Sequence, residues 1–147
     1  MVVVIDANLL ISAALTPRGI IADFISSDLY KVQFIVPAFI LAETKANEIR
    51  ICAKNKIDIS DFRQNLQFVL SKIMLIDDDE ISDTIFKKAF DLTKIIDTKD
   101  TIYIALAISF DALFWTGDLK LLRALKRKGY NQIITTSDFG LILKGLW

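Results

Sequence analysis

The chain of 147 residues contains no histidine. Every scheme in which an imidazole activates a nucleophile is therefore excluded. If this protein carries out hydrolysis, its composition leaves open one route above others: a divalent cation held by oxygen ligands. Cysteine is nearly absent too. The single Cys52 cannot form an intrachain disulfide, so a reducing, cytoplasmic setting is the expectation. Cys52 falls in a helical pattern and reads as a small core residue, with no histidine available to make it a nucleophile. Long apolar runs are missing as well. None approaches the roughly 18 residues that a membrane span requires, and the longest, Phe34 to Ala42, is interrupted by Pro37. Asp6 breaks the N-terminal apolar stretch too early for a signal peptide. A net charge is also lacking: 18 Lys+Arg balance 18 Asp+Glu. Overall charge thus gives no argument for a nucleic-acid partner, and its distribution has to be read instead.

Apolar residues are abundant, at 53% of the chain. This length builds one domain with a sizeable core, spanning residues 1–147, rather than two. An apolar share this high also favours some apolar surface covered by a partner, as in an oligomer. Short, β-branched or apolar runs at Val2–Ile5, Phe34–Val36, Ile73–Ile76, Ala112–Thr116 and Gln132–Thr135 read as buried strands. Helical patterns separate them. One covers Leu9–Leu15 and a second begins at Thr16-Pro17. Ala38 to about Lys54 carries an apolar stripe of Phe39, Ala42, Ala46, Ile49 and Ala53. Ser60 is a candidate cap for the helix Asp61 to about Lys72. Asp77-Asp78-Asp79-Glu80 precede a helix reaching Lys94, where their charge complements its dipole. Asp97 or Thr98 opens a strongly apolar helix to Ser109. Asp118 or Leu119 opens another to Lys128, stopped by Gly129, and Ser137 caps a last one to Leu143. Strands alternating with helices predict an α/β fold with a parallel sheet covered on both faces.

Asp6 directly follows the first strand and Asp118 closely follows the fourth, at the carboxyl ends where open α/β sheets bind ligands. Glu43 lies in the second turn of the helix after strand two. Asp100 sits in the first turn of the helix after Asp97, and the two acids can face the same way. If strands one, two and four are neighbours, these carboxylates converge. Without a cation they would raise one another's pKa; Mg²⁺ or Mn²⁺ would relieve the repulsion. Each also has a plainer reading. Asp6 and Asp118 could simply cap helices, Asp100 could serve a helix dipole, and Glu43 could be a surface residue. Asn8 and Thr116 could merely support turns, and Trp115 reads as core. Asp138-Phe139-Gly140 matches a kinase magnesium tripeptide, but the glycine-rich loop and the necessary length are missing. Two basic groups follow the candidate ligands: Lys45, Arg50, Lys54 and Lys56 after Glu43, and Lys120, Arg123, Lys126, Arg127 and Lys128 after Asp118. Either can be a solvated helix face, or part of a phosphate-binding rim.

Taken together, four segments resemble the PIN-domain family, in particular VapC-type toxin ribonucleases. They are Val3 to Ala13, Pro37 to Glu43, Asp97-Thr98-Lys99-Asp100 ahead of its apolar helix, and Trp115 to Leu121. A lone Thr-Gly-Asp is weak; all four in this order are specific, and they cover nearly the whole chain. The resemblance implies a three-layer α/β/α sandwich on a mostly parallel sheet of about five strands. It implies that Asp6, Glu43, Asp100 and Asp118 bind Mg²⁺ or Mn²⁺, with Asn8 and Thr116 in support and Asp97 close by. The following apolar helix favours Asp100 over Asp97 as the ligand. It further implies cleavage of single-stranded RNA, with Lys45, Arg50, Lys120 and Arg123 as candidate phosphate contacts, a homodimer, and an antitoxin protein as partner. One departure, Ala7 between Asp6 and Asn8, removes no ligand. Two rival readings remain at this stage: a PIN-like binding module with little turnover, and a phosphohydrolase using Asp6 as nucleophile, which Asn8 disfavours because such enzymes usually carry an aspartate there.

Overall fold

The computed structural model of the chain describes residues 1–146. Its strands are β1 (Val2–Ile5), β2 (Gln33–Pro37), β3 (Ile73–Ile76), β4 (Leu113–Trp115) and β5 (Ile133–Ile134). Its helices are α1 (Ala7–Leu15), α2 (Ile20–Ser26), α3 (Ile40–Asn55), α4 (Ile59–Leu70), α5 (Asp83–Thr93), α6 (Thr101–Ser109), α7 (Leu119–Arg127) and α8 (Thr136–Leu143). All strand pairs are parallel and form one sheet in the order β3-β2-β1-β4-β5. Val4 lies opposite Ile35 on one side and Phe114 on the other.

The two-residue period of a strand sends neighbouring side chains to opposite faces. Val3, Ile5, Phe34, Val36 and Trp115 pack with Leu9, Leu10 and Ala13 of α1, Ala22 and Ile25 of α2, and Phe139 of α8. Val4, Ile35, Phe114 and Ile133 face the other way, against Ala89 of α5, the apolar body of α6, and Leu121 and Leu125 of α7. The result is the expected α/β/α sandwich. The chain winds from β1 outward through β2 to β3, then returns to the far side of β1 as β4. Adjacent crossovers thus part between β1 and β4, and this switch point leaves a crevice at the strands' carboxyl ends. No single helix among the described residues is long and apolar enough to cross a membrane.

Several local expectations shift. Helix α2 begins at Ile20 behind an extended Gly19, and Pro17 sits in the preceding turn. Asp58, not Ser60, caps α4 by accepting the Ser60 N–H at 2.8 Å. Thr135, not Ser137, caps α8 in a reciprocal capping box with Asp138. Where capping residues occur in tandem, the one with extended backbone takes the role, and sequence does not reveal which that is. Asp78–Glu80 form a separate 3-10 turn, and Ser82 caps α5. Helix α3 is rotated from the predicted stripe: it buries Ile40, Thr44 and Cys52, whereas Ile49 is 76% exposed. Thr44 disguises the inward face. Its hydroxyl donates to the Ile40 carbonyl at 2.8 Å, so a polar residue is buried without an unmet hydrogen bond.

Candidate metal centre

The site begins where β1 ends. Asp6 follows the fully buried Ile5 in extended conformation and is itself only 6% exposed. It caps α1, its Oδ1 accepting the Asn8 N–H at 3.2 Å, while its Oδ2 accepts the Thr116 hydroxyl at 2.6 Å. Thr116 follows β4 and is fully buried. Its Oγ1 also accepts the Asp118 N–H at 3.0 Å. Asp118 in turn caps α7 through Oδ1, which accepts the Leu121 N–H at 3.0 Å. One hydroxyl therefore ties the carboxyl end of β1 to the start of α7. Capping and ligation are not exclusive alternatives here, since each cap uses one carboxylate oxygen and each oxygen has further lone pairs.

Two more elements complete the cavity. Asp97 accepts the Lys99 N–H at 2.9 Å and caps the 3-10 turn Thr98–Asp100. That turn runs directly into α6 and leaves Asp100 half-buried. Helix α3 contributes an exposed Glu43 from its first turn. Asp6, Glu43, Asp97, Asp100 and Asp118 all line one cavity of about 490 Å³, together with Asn8, Phe39, Lys99 and Tyr103. Helices α5 and α6 are held together beneath it by the buried Thr93 and Thr101 hydroxyls, 2.6 Å apart.

The cavity is short of positive charge. The ion pairs formed among the described residues, Arg63–Glu48, Lys72–Asp28 and Lys94–Asp91, involve none of its acids. Burial pushes the Asp6 carboxyl above the usual range and the Asp118 charge adds to this, against the Thr116 and Asn8 hydrogen bonds. Asp100 is pushed up to about 7, first by burial and then by the charges of Asp6, Asp97 and Asp118, with Lys99 opposing. Tyr103 is also raised, by burial first and then by Glu43, Asp6 and Asp100. Among the described residues its hydroxyl is buried without a hydrogen-bond partner. Among the described residues no three carboxylates crowd one point closely enough to chelate an ion as they stand. The donor set consists of hard oxygens without nitrogen or sulfur, which suits Mg²⁺ or Mn²⁺.

The sequence-predicted acids are thus brought together, with Asn8 at the edge and Thr116 behind Asp6. Among the basic candidates, Arg50 lines an adjoining groove. Lys45, Lys120 and Arg123 are exposed on α3 and α7 and line neither cavity. Tyr103, Phe39 and Lys99 were not anticipated. Tyr103 had a signal, since it stands three residues after Asp100 and so shares a helical face with it. Trp115 is fully buried against Phe139 with ring centroids 4.7 Å apart, as core. Cys52 packs with Ala14 and Phe62.

Known proteins share this architecture. VapBC2 from Rickettsia felis, in a structure bound to a DNA fragment from its promoter, superposes with a TM-score of 0.64 at 15% identity, covering 92% of this chain and 97% of that one. PAE2754 from Pyrobaculum aerophilum gives 0.63 at 15% identity, over 97% of this chain and 89% of that one. VapBC-1 from nontypeable Haemophilus influenzae gives 0.63 at 17%, over 93% and 99%. At such identities the likeness is one of fold. No curated protein sequence matches the chain. The PIN domain family, however, matches residues 4–136. A match of that extent, on a fold that gathers its acids at the switch point of the sheet, makes the chain a member of the PIN-domain family.

Proposed function

We propose that this protein is a Mg²⁺- or Mn²⁺-dependent endoribonuclease that cleaves single-stranded RNA by attack of water. The observation that carries this reading is the convergence of Asp6, Glu43, Asp100 and Asp118 on one cavity, with no cation ion-paired to them among the described residues. These four would hold the metal directly or through water. A bound divalent ion supplies a more acidic water and stabilises charge on phosphoryl oxygens. The chain's own groups do the rest. Thr116 fixes the Asp6 carboxylate and, through the Asp118 amide, the start of α7. Outer partners of this kind orient ligands, and as a donor the Thr116 hydroxyl favours the ionised form of Asp6. Of the two neighbouring acids Asp100 is half-buried at the start of α6 and Asp97 is exposed, so Asp97 acts in support, as does Asn8. Asp100, with no side-chain hydrogen-bond donor among the described residues and a pKa pushed up to about 7 by burial and by Asp6, Asp97 and Asp118, is the acid most in need of a cation. Lys45, Arg50, Lys120 and Arg123 would contact phosphates, which positions a strand without reading its sequence.

Two of the similar structures are VapBC assemblies, which supports a toxin of this type held by an antitoxin protein. A homodimer and a cytoplasmic setting belong to the same reading. Purified protein is expected to cut single-stranded RNA with Mn²⁺, to stop with chelator, and to fail as Asp6→Asn. Cleavage that persists in chelator would overturn it.

A further inference from the structure

Beside the acidic cavity lies a second depression of about 230 Å³ between α1 and α3. The two adjoin, sharing Ala7, Asn8 and Glu43 in their linings. Their chemistry is opposite. Past Glu43 the groove carries no further acid; its polar lining is Asn8, Thr44, Asn47, Arg50, Lys54 and Asn55. Successive residues on that side of α3 are spaced by three or four, so Glu43, Asn47, Arg50 and Lys54 form one row along the helix.

Arg50 is both free and oriented. Asn47 ties the helix to it: its Nδ2 donates to the Glu43 carbonyl at 2.8 Å, and its Oδ1 accepts from the Arg50 guanidinium at 3.0 Å. That bond uses one of five guanidinium N–H groups. Neither Arg50 nor Lys54 enters an ion pair among the described residues. At about 1.5 Å of rise per residue, Arg50 stands about 10 Å along the axis from Glu43 and Lys54 about 6 Å further. A row of unpaired cations leading away from the acids suits a polyanion whose reacting phosphate sits at the cavity. Lys45 lies on another side of α3, outside the groove.

We propose that the α1/α3 groove is the track for the sugar–phosphate backbone of single-stranded RNA on one side of the scissile bond, with Arg50 and Lys54 holding successive phosphates and Asn8 meeting the strand at the junction. This rests on the ribonuclease reading and gives the substrate a direction of approach. Arg50 is a bidentate phosphate holder set in place by Asn47, and Lys54 acts as a point charge.

The test is fluorescence anisotropy of a labelled single-stranded oligoribonucleotide in chelator, across a salt series, for wild type and for Arg50→Ala/Lys54→Ala. Both residues are exposed, so the fold is retained, which far-UV circular dichroism checks. The double variant is expected to bind about tenfold or more weakly, since hydrogen bonds to charged groups are the stronger ones. The slope of log affinity against log salt should shrink by about 1.4, or 0.7 for each lost contact to a single strand. Arg50→Lys/Lys54→Arg should restore much of the slope, and the charge-matched Lys87→Ala/Lys88→Ala pair on α5 should leave it unchanged. Wild type that binds RNA, and cuts it with Mn²⁺, beside a double variant of equal affinity and slope would overturn the groove assignment alone. So would a double variant that keeps its RNA affinity but loses a protein partner, which would make the groove a protein site. Wild type that neither binds nor cuts RNA would overturn the ribonuclease reading as well.

Discussion

Helices α6 and α3 each present a carboxylate to the same cavity from their N-terminal ends, yet they are built for different tasks. Helix α6 is buried nearly all round: Tyr103, Ile104, Ala105, Leu106 and Ala107 are each at most 4% exposed. Its Asp100 is half-buried, crowded by other acids and raised to about 7. Helix α3 buries only Ile40, Thr44 and Cys52, and its Glu43 is exposed. A carboxylate on a packed element is held where it is, whatever its neighbours' charge; one on a half-exposed helix can adjust. The cavity thus combines a fixed wall, made by β1, β4 and α6, with an adjustable one made by α3.

Breaking the fixed wall should have the largest effect on stability. Leu106→Ala is expected to cost about 2–5 kcal/mol, the range for emptying a packed core position, whereas Ile49→Ala on the outer face of α3 should stay within about 0.5 kcal/mol. Urea denaturation of both variants checks the pair. Metal affinity sharpens the same contrast. Asp100→Asn should weaken Mn²⁺ binding by more than the roughly 10–100-fold typical of an outer-partner change, and Glu43→Gln by less than Asp100→Asn, as read by titration calorimetry. Equal losses would remove the distinction between the walls. Thr116→Val keeps the shape while deleting the hydroxyl that joins Asp6 to Asp118, and should lower Mn²⁺ affinity by about 10–100-fold.

How far this division could be read beforehand depended on where each signal lay. The buried run Val2–Ile5 ending in Asp6 announced a carboxylate at a strand's mouth, and the apolar body of α6 announced a buried helix behind Asp100. Both follow from local periodicity, and the parallel sheet follows from their alternation. The Thr116–Asp6 bond joins residues 110 positions apart, and no local pattern signals it. The face of α3 was misjudged because Thr44 is buried through a bond to its own helix, while Ala42, Ala46 and Ile49 mimic an inward stripe on the exposed side. The lining of the α1/α3 groove depends on that rotation. Arg50 and Lys54 could be named as basic residues, and helical spacing sets them in one row with Glu43, but that the row faces α1 could not be read.

A further expected effect concerns pH. The folded value for Asp100, about 7, lies above its ordinary 3.8. Between those values the metal-free folded protein retains a proton that the unfolded chain has released. The resulting stabilisation is fully present below the ordinary value and is lost as pH rises through about 7. Thermal unfolding in chelator should therefore show a stability that declines toward neutral pH, and Asp100→Asn should flatten that decline. Mn²⁺ should bind more tightly as pH rises through the same interval, because the ion displaces the proton.

The central claim is that separated carboxylates form a single divalent-ion site at the switch point of the sheet. Anomalous diffraction from crystals soaked in Mn²⁺ tests it directly. The expected result is a peak bounded by the oxygens of Asp6, Asp100 and Asp118, with Glu43 drawn toward it. An empty cavity at Mn²⁺ concentrations that saturate activity, or a peak at other side chains only, would contradict it.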